Sequence, residues 1–424
     1  MKISEDNLLY PWNKRGNGNC PHEIEINDET LRDGIQAPGI KQPSLEDKIK
    51  IIDHIHRLGI EAACIGFPAA GPAMMRDLEY MIRYVRDNGL PLRLACAART
   101  VEKDIAPIAE LSQKLGVSID ANVFIGSSPI RQLVEHWDVN HIVELVKNAV
   151  SFGVKNNIPV NFITEDTTRS APEDIRRIYE TAVEWGAYRV CLCDTVGYAI
   201  PDGAADLVEF VKGFLKNAGR KIYIDWHGHN DRGLALANAL AAFKAGVDRV
   251  HVTCLGIGER TGNASLEQLL MNLKLMGIKS FDPRFLRMYC ETVSAACAVP
   301  IPHNLPIVGD KAFATATGVH AAAIIKAQKL NNHWLADRVY SSVPAGELGL
   351  EQEIEVGPLS GKSNVRYFLE RLNIDDEALA DDIYGQTKQK GNPLTRKELA
   401  QVFQKHGRLP DGSAMTINNA GIRQ

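Results

Sequence analysis

The sequence predicts an α/β protein: a (β/α)8 TIM barrel followed by a mainly helical C-terminal module. Three observations carry this. From about residue 23 a short β-rich run, a polar turn and an amphipathic helix repeat as a unit. The unit recurs eight times over about 250 residues, the usual size of a closed barrel. The alternation then fails after Met276. Repeated βα units imply a parallel sheet with covering helices. Periodicity does not by itself show closure, so an open doubly wound sheet is the alternative.

In chain order, the candidate strands are residues 23–27, 60–66, 92–97, 118–124, 158–163, 188–193, 221–225 and 248–252. Helix-period segments separate them. Two have clear start signals, Ser44 before LEDKIKIIDHIHRLG and Asp138 before VNHIVELVKNAVSFG, and each reads as stopped by its final glycine. Residues 281–306 read as a helix and then a proline-rich crossing segment, VPIPHNLP. The expected division is an N-terminal tail over 1–22, a catalytic barrel over 23–280, a linker over 281–306 and a helical module over 307–424. That module carries one β-like run near 353–356 and a closing amphipathic stretch, TRKELAQVFQKHG.

Of 424 residues, 45% are hydrophobic and 24% charged, as in an ordinary folded protein. The 48 basic and 52 acidic residues are well mixed and sum to -4, so no electrostatic footprint for nucleic acid or an anionic membrane stands out. Small-molecule chemistry is favoured. The N-terminus lacks an apolar core with a cleavage site, and no stretch approaches the roughly 18 apolar residues of a membrane span, so a soluble, unprocessed chain is expected. Eight sparse cysteines, mostly inside apolar runs, suit a reducing cytoplasm.

Barrel enzymes carry their reacting groups on the loops that follow the strands. Strand one runs into Asp28-Glu29-Thr30-Leu31-Arg32-Asp33-Gly34-Ile35-Gln36, strand five into Glu165-Asp166, and strand six into Asp194-Thr195. Strand seven leads to His227-Gly228-His229-Asn230-Asp231, and strand eight to a loop from Gly256 to Asn263. His227 and His229 are two apart, which in extended chain points both rings to one side, where they can bind one ion. A carboxylate from Asp33 would complete a mixed N and O site suited to Mg, Mn or Zn. An HxH pair can also be a polar strand end, but the barrel phase puts both histidines on the functional rim and favours the metal. Arg32, always charged, could bind a developing enolate or carboxylate oxygen, or form a structural ion pair with a neighbouring strand end. Glu165 and Thr195 alone could simply cap the following helices. Gly361-Lys362-Ser363 is not a phosphate-binding loop, because Val356 stands where that motif needs glycine. Gly256, Gly258 and Gly262 miss the dinucleotide fingerprint by one residue. Cys191 and Cys193 alternate along a strand and read as packing.

Taken together, DETLRDGIQ, HGHNDRG and GIGERTGNASLE resemble the DRE-TIM metallolyase superfamily, specifically its Claisen-condensing members such as 2-isopropylmalate and homocitrate synthases. The resemblance implies a divalent metal held by Asp33, His227, His229 and Asn263. It gives Arg32 the family's essential arginine role, places Glu165 near the acyl-CoA thioester, and has Thr195 bind the keto-acid carboxylate, with Gln36 also at the substrate. Gly318-Val319-His320 is similar to a family segment whose histidine is a proposed acid/base reaching the partner subunit's active site; on its bare sequence His320 is an ordinary helix histidine. The implied substrates are acetyl-CoA and a 2-keto acid, joined to a 2-alkylmalate with release of CoA by a cytoplasmic homodimer. Residues 61–72, EAACIGFPAAGP, look like isopropylmalate synthase, whereas TGVHAAAIIKA looks like homocitrate synthase. Homocitrate or citramalate synthesis, and reverse cleavage as an acyl-CoA lyase or aldolase, are the alternatives. The lyases carry a cysteine in the loop after strand eight, where this chain has LGIGERTGN, which favours a synthase. Ending at Gln424, the chain is not expected to carry the domain through which many isopropylmalate synthases sense leucine. Phe67, Arg99 and Phe124 are candidate pocket residues, with Asp120 as an alternative partner for Arg99.

Overall fold

The computed structural model describes residues 8–10, 12–13, 23–408, 417–418 and 421–422, so most of the expected tail over 1–22 lies outside the described residues. Eight parallel strands close into a barrel. They are β1 (Glu25–Asp28), β2 (Ala62–Cys64), β3 (Arg93–Arg99), β4 (Ile119–Gly126), β5 (Val160–Glu165), β6 (Arg189–Asp194), β7 (Tyr223–Gly228) and β8 (Arg249–Val252). Closure is made by β1 against β8, with Glu25 opposite Arg249 and Asp28 opposite Val252. The open-sheet alternative is excluded. Five strands, β1 and β3 to β6, run one or two residues past their expected ends, and β7 runs three, to Gly228. Polar residues such as Glu165, Asp194 and His227 read as loop in the sequence, yet here they are strand ends facing the barrel mouth.

The helices that follow are α1 (Leu45–Arg57), α2 (Pro72–Asp87), α3 (Glu102–Leu115), α4 (Val139–Lys155), α5 (Pro172–Glu184), α6 (Pro201–Leu215), α7 (Ala235–Ala245) and α8 (Leu266–Leu275). Both expected caps form: Ser44 Oγ accepts from Asp47 N at 3.1 Å, and Asp138 Oδ1 from His141 N at 2.8 Å. Each satisfies a backbone donor that the first helical turn leaves free. Gly59, at φ 68, follows the end of α1 as expected. Gly153 does not stop α4, which continues to Lys155. A Cβ at Gly153 would lie 2.6 Å from Val160 Cγ2, so this glycine serves the close approach of α4 to β5. The outer strand faces and inner helix faces form the apolar core, with Ile51, Ile52 and Ile55 of α1 wholly buried. Each such side chain stabilises the fold by roughly 1.5–3 kcal/mol.

The lumen is less apolar than a typical barrel's. Alternation along β7 and β8 sends Asp225 and His227, and Arg249 and His251, to one side. There Asp225 meets Arg189 Nη1 at 2.5 Å, Arg249 Nη2 at 2.6 Å and His251 Nε2 at 3.0 Å. Arg189 and Arg93 in turn pair with Glu25 at 3.0 and 3.1 Å. Cys191 and Cys193 pack above with Ile163 and Phe124 as free thiols, their sulfurs 3.8 Å apart.

Compactness divides the chain into one unit of Met1–Phe281 with Tyr289–Val299, and a second of Asp282–Met288 with Pro300–Gln424. The division cuts helix α9 (Arg284–Cys297), which falls within the expected linker. The second unit contains a parallel pair, β9 (Ala314–Thr315) and β10 (Glu353–Ile354), and helices α10 (Gly318–Lys329), α11 (His333–Arg338), α12 (Lys362–Arg371), α13 (Glu377–Lys390) and α14 (Arg396–Lys405). Val365, Leu369, Leu379, Ile383, Val402 and Phe403 form its core. Gly361 is the cap residue of α12, consistent with a helix start and not a phosphate loop. Among the described residues no helix is long and apolar enough to cross a membrane.

Candidate metal centre

Asp33 caps a short helical turn (Gly34–Gln36) after β1, while His227 belongs to β7 and His229 follows it. All three are buried, and their donor atoms converge. Asp33 Oδ2 is 3.4 Å from His227 Nε2 and 3.5 Å from His229 Nε2. These separations are long for hydrogen bonds. They suit three donors about 2.0–2.2 Å from a shared ion, whose ligands stand roughly 3.0–3.5 Å apart.

The protonation pattern agrees. Burial pushes the His227 pKa down despite the nearby Glu29 carboxylate, which favours a neutral ring. Its Nδ1 faces Glu29 Oε2 at 2.9 Å, so the hydrogen-bond network assigns the proton to Nδ1 and leaves the Nε2 lone pair toward Asp33. Burial alone would raise the Asp33 carboxyl, but the Arg32 guanidinium, His229 and His227 outweigh it and hold it well below the usual carboxylate range. An ionised carboxylate and a neutral imidazole, with a second imidazole nitrogen aimed at the same point, fit a divalent ion.

Asn263 joins the same rim through a backbone bridge to His229. Its Nδ2 donates to Ile257 O at 3.1 Å, whereas its Oδ1 is buried without a hydrogen-bond partner. The loop that presents it is tightly folded. Gly262, at φ 84, lies so close to Gly256 that a Cβ there would overlap the Gly256 carbonyl oxygen.

Arg32 Nη2 reaches Glu29 Oε2 at 2.5 Å and its Nη1 lies 3.5 Å from Asp33 Oδ2, so its ion pair is made within its own loop and not with a neighbouring strand end, and it also borders the cluster. Glu165 ends β5, where burial raises its pKa and Arg131, 3.4 Å away, offsets this only in part. Thr195 Oγ1 accepts from Asp166 N at 2.8 Å, and its carbonyl accepts from Arg260 at 2.5 Å. Neither caps a helix. Gln36 is exposed at the end of the turn that begins after Asp33. His320 lies in the second unit, exposed on the first turn of α10 and stacked on Tyr340 at 4.0 Å between ring centroids.

The pocket residues need correction at Arg99, which pairs with Asp104 at 2.6 Å and not with Asp120. Asp120 instead accepts from Tyr188. Asp104 is the nearer acid because Arg99 ends β3 beside the start of α3. Phe67 and Phe124 do meet, their rings 6.2 Å apart. Sequence reasoning missed Glu29, His251 and Arg131. Glu29 could have been found, since it stands three residues before Arg32; nothing marked the other two.

A closed parallel barrel with a carboxylate and two imidazoles converging at its carboxyl rim defines an enzyme of the kind that works at the ends of its strands. The HMGL-like family matches residues 23–284, and the chain belongs to that family, which bears out the DRE-TIM resemblance. It is 31% identical over 397 residues to the 2-isopropylmalate synthase of Halothermothrix orenii, covering 91% of this chain and 74% of that one. It is also 31% identical to a homocitrate synthase of Methanopyrus kandleri, over 89% of this chain and 90% of the other. Among solved structures, the HMG-CoA lyase of Bacillus subtilis shares the fold with a TM-score of 0.54 at 22% identity, over 66% of this chain and 96% of that one.

Proposed function

We propose that the chain condenses acetyl-CoA with a 2-keto acid to give a 2-alkylmalate and CoA, in the manner of a 2-isopropylmalate synthase. Relatives named 2-isopropylmalate synthase and homocitrate synthase, matching over most of the chain, make it an acyltransferase of this group. The observation that carries the chemistry is the convergence of Asp33, His227 and His229 on the rim beside Arg32. These residues, with Asn263, would hold a divalent ion (Mg, Mn or Zn), which when bound polarises the keto acid's carbonyl.

This chain's own groups divide the remaining work. Arg32 supplies fixed positive charge to the oxygen that becomes the alkoxide. Thr195 and Gln36 orient the keto acid through hydrogen bonds. Glu165, whose half-buried carboxyl is held above the ordinary range, is suited to moving a proton near the acetyl methyl. The methyl carbon, having lost that proton, bonds to the keto carbon. Water then cleaves the thioester C–S bond, leaving a carboxylate and the CoA thiol.

His320 would serve as an acid/base donated to the partner subunit of a cytoplasmic homodimer. The surface around it supports this: Val319 is 71% and Leu359 74% exposed, and Gly318 N donates to Leu359 O at 3.1 Å. Apolar side chains so placed suit burial by a second copy. Homocitrate-type specificity is the second reading, favoured by TGVHAAAIIKA and by the Methanopyrus relative.

The test is CoA release from acetyl-CoA with 2-oxoisovalerate, pyruvate, 2-oxoglutarate and glyoxylate, each with Mg, Mn or Zn. One keto acid should support turnover, and Asp33→Asn should lower it by more than about 100-fold. No CoA from any pair would reject the function.

A further inference from the structure

Glu29 lies four residues before Asp33, outside the donor set, and is 1% exposed. Its Oε2 accepts from Arg32 Nη2 at 2.5 Å and faces His227 Nδ1 at 2.9 Å. Its Oε1 faces His251 Nδ1 at 3.2 Å and accepts from Asn27 Nδ2 at 3.3 Å. The other nitrogen of His251 meets Asp225 Oδ2 at 3.0 Å, and Asp225 is itself clamped by Arg189 and Arg249. A continuous hydrogen-bonded chain therefore runs from the packed lumen to the rim, and it ends on both Arg32 and His227.

Two consequences follow from this wiring. A neutral imidazole carries one N–H, and a carboxylate at Nδ1 draws it there, leaving Nε2 as the free donor. The same carboxylate oxygen fixes the guanidinium whose Nη1 stands 3.5 Å from Asp33. One side chain thus orients a metal donor and the cation that serves the reacting oxygen.

We propose that Glu29 is a positioning residue that sets the His227 tautomer and the Arg32 guanidinium together, with His251 as the strut that ties it to Asp225. The inference rests on the metal-centre reading above. Glu29 has no part in that reading, which takes Arg32, Asp33 and Gln36 from this stretch.

The experiment is Mn2+ titration of the purified full chain by calorimetry, for wild type, Asp33→Asn, Glu29→Gln and Glu29→Asp, with kcat and KM measured beside it. Wild type should bind Mn2+ and Asp33→Asn should not. Glu29→Gln should bind about 10- to 100-fold more weakly, the usual effect of removing a carboxylate that orients a ligating histidine. Its kcat should stay depressed at saturating Mn2+, because Arg32 is released as well, and Glu29→Asp, which keeps the charge, should recover part of both. A purely structural Glu29 would lower the melting temperature without moving Mn2+ affinity well below it. If wild type binds, Asp33→Asn does not, and Glu29→Gln matches wild type within about twofold, the proposal falls while the metal centre stands. If wild type fails to bind, or Asp33→Asn binds equally, both fall. Should Glu29→Gln not fold, Glu29→Asp decides: affinity unchanged from wild type overturns the proposal.

Discussion

Asp225, deep in the lumen, and Asp33, at the mouth, are both buried carboxylates surrounded by basic side chains, and both are held well below the usual carboxylate range, against the pull of burial, by neighbouring arginines and histidines. Their surroundings differ in distance. Around Asp225 the contacts to Arg189, Arg249 and His251 run from 2.5 to 3.0 Å. Around Asp33 the contacts to His227, His229 and Arg32 stand at 3.4 and 3.5 Å. Unpartnered buried atoms occur in both places, Arg189 Nε and Arg249 Nη1 in the lumen and Asn263 Oδ1 and His229 Nδ1 on the rim, so the two clusters differ in how closely they surround the carboxylate. The first closes on Asp225 at hydrogen-bond distance and supports the fold; the second holds its donors around Asp33 at the spacing of ligands that share an ion.

The comparison breaks most directly at its structural end. Asp225→Asn leaves Arg249 buried without its counter-charge and Arg189 with Glu25 alone, and urea unfolding should show a loss of about 3–5 kcal/mol. Asp33→Asn should cost far less stability while abolishing CoA release; equal destabilisation by the two would erase the distinction. Next in size is Arg32→Gln, which removes charge from the reacting oxygen and should lower kcat by about 10²–10³, roughly 2.7–4 kcal/mol. Steady-state kinetics should show little change in KM for acetyl-CoA; a rise in KM with kcat intact would make Arg32 a binding residue only.

The smallest effect tests a third carboxylate, Asp28, which accepts from Thr30 N and Tyr289 Oη, both at 2.8 Å. Burial outweighs these bonds and raises its pKa from 3.8 to about 6. In that window the folded state binds more protons than the unfolded one, so its contribution to stability falls as pH rises from about 4 to about 6. Asp28→Asn, which cannot titrate, should therefore gain melting temperature relative to wild type over that range. A constant difference between the two would show that Asp28 titrates normally.

The barrel was legible because its outer wall obeys simple periodicity: apolar strands, amphipathic helices, and caps at Ser44 and Asp138. Asp33, His227 and His229 could be singled out because spacing and strand phase put them together without any knowledge of contacts. His251, Arg189 and Arg249 could not. A lumen-facing charge has no local signature, and its partner lies on another strand, fixed only when the sheet closes. The same polarity misplaced the strand ends, and Gly153 read as a stop because packing against Val160 is invisible along one chain.

The loop between Gly256 and Asn263 closes one side of the mouth with main chain folded against main chain. Such a wall offers little for single substitutions to reshape: a methyl group at Gly262 has nowhere to go, and changes there displace Asn263 as well. Phe67 and Phe124, by contrast, face each other through exchangeable side chains. Adapting this scaffold to a different keto acid is thus a problem with one rigid boundary and one adjustable one, and variation in substrate preference should collect on the aromatic side.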